Sequence, residues 1–280
     1  MIIYKQYNQE QLNNQYNNRL QVPDFATYLE RWDKLSEATR QKHAYVKDLQ
    51  YGDHWRECLD IFPSGKRGSK VLVFIHGGYW QLFDKTKFHF IAAAFLPHHI
   101  TTVVINYPLA PAAMDDIVAS CRKAVRWLQQ NLVTYDADPQ QVYIAGHSAG
   151  AHLAAMLMSK DVDVQIVPFI KGMCLLSGLY NLIPIQLSYV NAVLGMDKET
   201  ALRNSPVNLP AVQTCPLLVS SGGAETAEFK EQSRELYNCW KTTTPVQLVE
   251  LPRVNHYSIL DALVDEDTSL HKEMMKLMDQ

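Results

Sequence analysis

Residues 142–153 read Val142-Tyr143-Ile144-Ala145-Gly146-His147-Ser148-Ala149-Gly150-Ala151-His152-Leu153, where an apolar, β-branched run enters a Gly-x-Ser-x-Gly turn. Strong helix formers without a breaker follow, so the segment is typical of a strand, a tight turn and a helix. Small residues at 146 and 150 let the strand and helix pack closely and hold the central serine in a strained conformation. The pentapeptide alone also occurs in ordinary turns, but its flanks favour a nucleophile elbow. We therefore predict that Ser148 is an exposed, activated nucleophile.

Apolar runs typical of strands buried on both faces recur along the chain. They cover residues 70–75, 101–106, 141–145 and 172–176, and a further pair covers 216–220 and 246–251. The patchier alternation over 49–63 predicts an edge hairpin, and apolar stripes over 113–132 and 229–240 predict amphipathic helices between the strands. Alternating strands and helices predict an α/β fold with a doubly wound, mostly parallel sheet of eight strands.

Two segments outside this pattern are predicted to add to it. Residues 1–45 form a polar, helix-compatible extension in which Tyr28, Trp32 and Leu35 share one apolar stripe, while the Asn/Gln-rich piece 9–18 is expected to be a frayed, solvated helix. Residues 181–208 are long for a connection and can act as a cap insertion together with the N-terminal helices.

Length and composition bound the kind of protein. The 280 residues contain no Gly/Ser/Pro-rich linker, which favours one domain over 1–280. No apolar stretch approaches the roughly 20 residues that cross a bilayer, so a membrane partner is not expected. The formal net charge of -3 and the lack of a Lys/Arg block argue against nucleic acid.

The cysteines and the N-terminus predict the compartment. Five cysteines are scattered and never form a Cys-x-x-Cys pair, so neither a disulfide framework nor a zinc site is indicated. They are Cys58, Cys121, Cys174, Cys215 and Cys239. Residues 1–10 lack the basic-then-apolar pattern of a signal peptide. We predict a cytoplasmic protein.

A serine nucleophile needs a histidine base that a carboxylate orients, in the chain order serine, acid, histidine. Glu225 follows the strand predicted over 216–220, and His256 follows the strand over 246–251, so both lie where an open α/β sheet builds its site. Glu228, one helical turn on, is the nearest alternative acid and can instead decorate the start of its helix. We predict that Glu225 and His256 complete a triad with Ser148.

The other histidines suit the role of base less well. His147 and His152 flank the serine but are held by the elbow and its helix. The rest lie in segments unsuited to a triad, and a surface or packing role is expected for them: His43, His54, His76, His89, His98, His99 and His271.

The segment Phe74-Ile75-His76-Gly77-Gly78-Tyr79-Trp80 follows a strand and corresponds in position to a His-Gly-Gly-Gly type oxyanion loop. The backbone amides of Gly78, Tyr79 and Ala149 are predicted to stabilise the oxyanion of a tetrahedral intermediate, each by roughly 3 kcal/mol. A plain glycine turn is the alternative, and His76 is expected to be structural. With the elbow, this loop predicts the α/β-hydrolase fold.

At these residues the chain resembles the kynurenine formamidase (arylformamidase) branch of the hormone-sensitive-lipase-like α/β-hydrolases. The resemblance lies in residues 76–81, in residues 146–154 and in the turns around Glu225 and His256. It implies hydrolysis of the formamide of N-formyl-kynurenine, with side activity on small esters. It also implies that Ser148 is the nucleophile, His256 the general base and acid, and Glu225 the orienting carboxylate. Glu225 stands where the animal enzymes have Asp, and the N-terminal extension matches weakly.

Aromatic residues after the oxyanion loop and after the strand over 172–176 are expected to line a cleft for a small aromatic acyl substrate, although some can be core residues. The residues predicted to bind substrate are Tyr79, Trp80, Tyr180 and Tyr189, with Phe83 and Leu182 beside them.

These features predict a serine hydrolase that cleaves a small aryl formamide or a short-chain ester through an acyl-enzyme on Ser148. A broad-specificity carboxylesterase is the alternative within the enzymes, because both reactions use the same machinery. A non-catalytic ligand-binding protein of the same fold is the alternative from another class. We expect a small-molecule substrate and no cofactor or metal, and a homodimer is compatible with the sequence.

Overall fold

The computed structural model describes residues 1–159, 169–211 and 215–279. These residues build an eight-stranded sheet in the order β1-β2-β4-β3-β5-β6-β7-β8. Strands β1 and β2 form an antiparallel hairpin, β2 pairs antiparallel with β4, and every other neighbouring pair is parallel. The strands are β1 (Val46–Gln50), β2 (Cys58–Phe62), β3 (Ser69–Ile75), β4 (Thr101–Ile105), β5 (Ala137–His147), β6 (Ile170–Leu176), β7 (Leu217–Gly222) and β8 (Val246–Leu251).

Helices cover both faces of the sheet. The helices are α1 (Gln9–Tyr16), α2 (Asn18–Gln21), α3 (Phe25–Lys42), α4 (Phe90–Phe95), α5 (Met114–Asn131), α6 (Ala149–Met156), α7 (Ile183–Gln186), α8 (Asn191–Leu194), α9 (Lys198–Arg203), α10 (Ala227–Trp240), α11 (Ser258–Val264) and α12 (Ser269–Met278). Helices α1, α5, α6 and α10 pack on one face, whereas α3, α4, α11 and α12 pack on the other. In the described ranges, none of these helices is both long and apolar enough to pass through a bilayer.

The alternation along β3 shows why the central strands are apolar throughout. Val71, Val73 and Ile75 belong to the core on one face, while Leu72 and Phe74 belong to the core on the other. All five side chains are fully buried. The predicted doubly wound, mostly parallel sheet of eight strands is thus confirmed, and the hairpin predicted over 49–63 is β1 and β2.

Helix α3 differs from the stripe predicted for it. Trp32 is buried as expected, but Leu35 is 43% exposed and the neighbouring Ser36 is buried instead. The Ser36 hydroxyl donates to the backbone oxygen of Lys87 at 2.8 Å and accepts from the backbone N–H of Phe90 at 3.1 Å. The helix therefore turns a polar residue inward because the loop before α4 offers backbone groups that need partners.

The N-terminal helix α1 is not the frayed, solvated helix that its Asn/Gln-rich composition predicts. A capping box formed by Asn8 and Gln11 closes its first turn. Leu12 and Tyr16 are fully buried in the same core as α5 and α10. Two apolar residues at i and i+4 are enough to dock this polar helix on the domain.

Replacing Leu12 by Ala tests that docking. Because Leu12 is fully buried, we expect Leu12→Ala to lower the free energy of unfolding by about 2–4 kcal/mol. Leu20, which is 56% exposed in α2, supplies the control, and Leu20→Ala should cost less than about 0.5 kcal/mol. Urea unfolding of both variants measures the difference, and equal small effects would show that α1 is not docked.

Candidate active site

The elbow between β5 and α6 is closed by glycine packing. A Cβ on Gly146 would lie 2.4 Å from the Gly150 oxygen, and a Cβ on Gly150 would lie 2.0 Å from the backbone oxygen of Ile75. Ser148 between them has φ 56° and ψ -120°, a conformation that non-glycine residues rarely adopt. Its backbone N–H donates to the Leu176 oxygen at 2.8 Å. The turn thus fixes the serine at the carboxyl edge of the sheet. Ser148 is only 2% exposed, so the exposed position expected from the sequence is wrong, because the elbow places the residue at the floor of a covered cavity.

Glu225 and His256 meet at the same edge. The Glu225 Oε1 atom lies 2.6 Å from His256 Nδ1, and both residues are buried. The second oxygen of Glu225 accepts from the Ser177 hydroxyl at 2.8 Å and from the Gly222 N–H at 2.7 Å. With both carboxylate oxygens held, Nδ1 keeps its proton and Nε2 stays free to accept one. Ser177, which sequence reasoning missed, is therefore part of how the acid is oriented.

The alternative acid, Glu228, is engaged elsewhere. Its carboxylate lies 3.3 Å from the Lys5 ammonium, and its backbone N–H donates to the Gln15 side chain at 3.2 Å. The structure thus pairs His256 with Glu225 and leaves Glu228 at the start of α10, where it contacts the N-terminal extension.

His147 holds the loop that carries His256. Its Nε2–H donates to the backbone oxygen of His256 at 2.8 Å, and the two rings lie 4.7 Å apart. Burial, followed by the neighbouring charge of His256, lowers the pKa of His147 well below its ordinary value. His147 is therefore neutral near pH 7. A charged His147 ring would repel the neighbouring imidazole of His256 when that ring is protonated. A His directly before the serine is the sequence signal for this support.

The loop after β3 takes a left-handed course. Gly78 has φ 111°, and Tyr79 and Trp80 follow with φ 52° and 57°. A Cβ on Gly78 would lie 2.5 Å from the backbone oxygen of Leu82, so the turn closes only with glycine. In the described part of the chain, the backbone N–H groups of Gly78, Tyr79 and Ala149 donate to no protein oxygen. These amides are available to a ligand oxygen.

His76 holds the start of this loop. Its ring stacks between Phe88 at 5.5 Å and Tyr107 at 4.5 Å, and its Nδ1 lies 2.7 Å from the Gly77 oxygen. The Tyr107 hydroxyl donates to the backbone oxygen of His76 at 2.7 Å. Burial lowers the pKa of His76 to about 4, so the ring is neutral. The structural role expected for His76 agrees with these contacts.

Arg56, which sequence reasoning missed, also holds the loop after β3. Its buried guanidinium donates to the backbone oxygens of Tyr107 at 3.0 Å and Phe83 at 2.8 Å, and to the Asn106 side chain at 3.2 Å. Asn106 in turn receives the backbone N–H of Lys85 at 2.7 Å. The guanidinium also lies 3.5 Å from the Asp84 carboxylate. Its charge-assisted hydrogen bonds to backbone oxygens rigidify the loop that presents the free amides.

A cavity of about 440 Å³ opens over these groups. Ser148 and His256 line it together with Gly78, so the predicted nucleophile, base and one oxyanion amide face one space. The other lining residues come from five segments: the N-terminal extension, the loop after β3, the elbow, the segment around α8 and the turn after β8. They are Asn17, Asn18, Arg19, Trp32, Tyr79, Gln81, Leu82, Phe83, Phe88, His147, Tyr189, Val190, Val193 and Tyr257. Both segments expected to form a cap thus contribute to its wall.

Two of the four predicted substrate contacts need correction. Tyr79 and Tyr189 line the cavity, but Trp80 and Tyr180 do not. Trp80 is fully buried, because the left-handed turn at Tyr79 sends it toward α6, where its Nε1–H donates to His152 Nδ1 at 3.2 Å. Tyr180 is fully buried in the core with the other inward residues of that connection. Trp80 and Tyr180 are therefore core residues rather than substrate contacts.

Within the described ranges, no group of three or more His, Cys, Asp or Glu side chains is placed to hold a metal ion. The chemistry available from the described residues is that of a buried carboxylate–imidazole pair, a serine hydroxyl and three free amides around one aromatic cavity.

The buried His152 predicts a pH dependence of stability. Burial lowers its pKa to about 4, and its ring must stay neutral because Nε2–H donates to the Asn204 oxygen while Nδ1 accepts from Trp80. The unfolded chain takes up this proton near pH 6.5, whereas the folded protein takes it up only near pH 4. The contribution of His152 to the free energy of unfolding is therefore fully present above pH 6.5. It falls by about 3 kcal/mol as the pH drops to 4.

Urea unfolding between pH 7.5 and pH 4 measures this loss. Burial also lowers the pKa values of His76, His89 and His147, so His152→Gln should remove only part of the loss of stability that the buried histidines cause together. His43→Gln, at a partly exposed site, should keep the whole loss. An unchanged pH profile in His152→Gln would show that a different group titrates.

Comparison with known proteins agrees with this geometry. The family model BD-FAE matches residues 59–172. The kynurenine formamidase of Salmo salar is 34% identical over 258 residues, covering 87% of this chain and 86% of that protein, and that of Danio rerio is 33% identical over 253 residues, covering 87% and 85%. Among solved structures, a protein from Silicibacter sp. tm1040, provisionally described as a thioesterase, superposes with a TM-score of 0.85 at 26% identity and covers 92% of this chain and 97% of that one.

A more distant structure shares the fold. The carboxylesterase EstE1, cloned from a metagenomic library, superposes with a TM-score of 0.66 at 15% identity and covers 91% of this chain and 94% of its own. The relatives, the sheet order and the elbow lead to one conclusion: the chain belongs to the kynurenine formamidase family and is a hydrolase of the α/β-hydrolase fold.

Proposed function

We propose that the protein hydrolyses an aryl formamide of the N-formyl-kynurenine type through an acyl-enzyme on Ser148. The observation that carries this proposal is the bonded pair of Glu225 and His256 at 2.6 Å, with His256 and Ser148 lining one aromatic cavity. The kynurenine formamidase relatives support the substrate class. The aryl part of such a substrate suits the aromatic side chains that line the cavity with Ser148.

In the first step, His256 Nε2 takes the proton of the Ser148 hydroxyl as Oγ attacks the formyl carbon. The carbonyl oxygen becomes an oxyanion within reach of the amides of Gly78, Tyr79 and Ala149, each of which contributes roughly 3 kcal/mol. Glu225 stabilises the imidazolium that forms and keeps its Nδ1 proton in place.

In the second step, the C–N bond breaks and His256 returns its proton to the departing aryl nitrogen, which leaves as an aniline. The formyl group remains as an ester on Ser148. A water molecule then gives a proton to His256 and attacks this ester, formate is released, and the proton returns to the serine oxygen. The same steps cleave an ester, with an alcohol as the leaving group.

A broad-specificity carboxylesterase is the second candidate, because the oxyanion loop and the triad residues do not distinguish an amide from an ester. We further propose a cytoplasmic location, supported by the five cysteines, all of which are free thiols. The homodimer stays a prediction.

Replacement of the nucleophile tests the reaction class. We expect Ser148→Ala to lower kcat/KM by at least about 10³-fold on both N-formyl-kynurenine and p-nitrophenyl acetate, with the melting temperature within about 3 °C. Formate release and nitrophenolate absorbance measure the two reactions. Ser64→Ala, in the turn after β2, is the matched control and should keep wild-type rates. Residual activity well above that of buffer would identify a different nucleophile.

The ratio of the two kcat/KM values in the wild type separates the candidate functions. A value well above one supports the formamidase, and a value far below one supports the esterase. The absence of both activities would support a binding protein.

Replacement of the acid tests the assignment of Glu225. Glu225→Gln keeps the side-chain shape but removes the charge that orients and stabilises His256, so we expect kcat to fall by about 10²–10⁴-fold. Glu228→Gln, one helical turn away and paired with Lys5, should stay within about threefold of wild type. Steady-state kinetics on p-nitrophenyl acetate measures both. A larger loss in Glu228→Gln would reverse the assignment.

A further inference from the structure

One wall of the cavity carries charge and polarity that the proposed chemistry does not use. The N-terminal extension contributes Asn18 and Arg19 to this wall. Of the described residues that line the cavity, Arg19 is the single Lys or Arg, and none is an Asp or Glu. The wall therefore presents a positive charge to whatever occupies the cavity.

Neither the Asn18 nor the Arg19 side chain finds a polar partner in the described part of the chain. Asn18 is only 8% exposed, yet its carboxamide makes no hydrogen bond to the described part of the chain. The Arg19 guanidinium lies over the Phe25 ring at 5.2 Å and pairs with no carboxylate of the described residues. Arg19 is an exposed residue, and both side chains line the cavity, so the unpaired amide and the unpaired cation are open to a polar group of a ligand.

The charge of Arg19 acts on the aromatic part of the cavity. Burial raises the pKa of Tyr257 to about 12, and the positive charge of Arg19 is the largest opposing influence. Arg19 likewise opposes the rise that burial causes in the pKa of Tyr189. Both tyrosines line the cavity, so an aromatic ligand between them would place a substituent near the guanidinium.

The position of this wall is tied to the catalytic loops. The backbone oxygen of Tyr16 accepts from the Tyr79 hydroxyl at 2.6 Å and from the Tyr189 hydroxyl at 3.3 Å. The Thr226 hydroxyl, one residue after Glu225, donates to the Gln15 oxygen at 2.8 Å. The chain just before Asn18 is thus held by the oxyanion loop, the cap segment and the acid loop, which fixes its distance from Ser148.

We propose that Asn18 and Arg19 form a carboxylate-binding subsite, so that the protein selects aryl formamides whose ring carries an acidic side chain. The guanidinium supplies charge-assisted hydrogen bonds to the carboxylate, and the carboxamide N–H supplies one more. This inference rests on the proposed function and deepens it, because it assigns the residues that choose among substrates of the same reaction.

The test compares two substrates that differ in the amino-acid group, which carries the carboxylate. N-formyl-kynurenine carries a carboxylate, and 2-formamidoacetophenone is the matching aryl formamide without the amino-acid group. Formate release gives kcat/KM for each, and the ratio of the two values is the readout. We expect Arg19→Gln to lower this ratio at least about tenfold, mainly through KM for N-formyl-kynurenine. Arg19→Glu should lower it further, and Arg19→Lys should retain part of it.

Arg67→Gln removes the same charge at an exposed turn away from the cavity and should leave the ratio unchanged. A ratio in Arg19→Gln equal to that of wild type would overturn the subsite. An equal loss on both substrates would also overturn it, because Arg19 would then support the cavity rather than bind the carboxylate.

If the wild type turns over neither formamide, the proposed function fails and the subsite is judged by binding alone. Calorimetry then compares kynurenine with 2-aminoacetophenone on Ser148→Ala protein, with and without Arg19→Gln. Kynurenine binding that weakens about tenfold, with little change for 2-aminoacetophenone, would support the subsite. Equal affinities in the two proteins would overturn it.

Discussion

The contact on which the site depends is that between Gly150 and the carbonyl of Ile75, where a Cβ would come within 2.0 Å. Ile75 pairs with Gly146 across β3 and β5, so the two loops that leave these strands start at the same level of the sheet. Gly77 in the oxyanion loop also approaches the elbow closely, since a Cβ on Gly77 would lie 2.9 Å from the His147 oxygen. Ser148 and the free amides are therefore positioned first by backbone packing, which the side chains of Arg56 and His76 reinforce.

Three buried, neutral histidines each contact a backbone oxygen. His76 contacts the Gly77 oxygen, His147 donates to the His256 oxygen, and His152 donates to the Asn204 oxygen. Burial lowers the pKa of each, which keeps one ring nitrogen as a donor and the other uncharged near pH 7. A positive charge on His147, whose ring lies 4.7 Å from that of His256, would oppose protonation of His256. These neutral histidines thus hold the loops by hydrogen bonds and add no positive charge that would act on His256.

The sequence predicted those parts of the structure that local patterns determine. Gly146, Ser148 and Gly150 specify the elbow within five residues, and period-two alternation and apolar runs specify the strands. Whether a side chain after a turn faces the cavity or the core depends on contacts with distant segments, which local patterns do not contain. Trp80 was therefore misplaced, because its direction follows from the left-handed turn before it and from His152 on α6. Residues 9–18 look solvated by composition, yet they pack through Leu12 and Tyr16.

The residues that could be predicted from the sequence are those proposed to carry out the reaction. The residues that could not be predicted include those proposed to select the substrate. The proposed nucleophile, acid and base follow the carboxyl ends of β5, β7 and β8, and the chemistry proposed at that edge serves esters as well as formamides. The groups that can distinguish substrates come from the N-terminal extension and the segment around α8, which meet through Tyr16, Tyr79 and Tyr189. Because these contacts join segments more than 60 residues apart, substitutions there can change the cavity without touching the strands. In this chain, the groups that can select a substrate are thus separate from the strands that carry Ser148, Glu225 and His256.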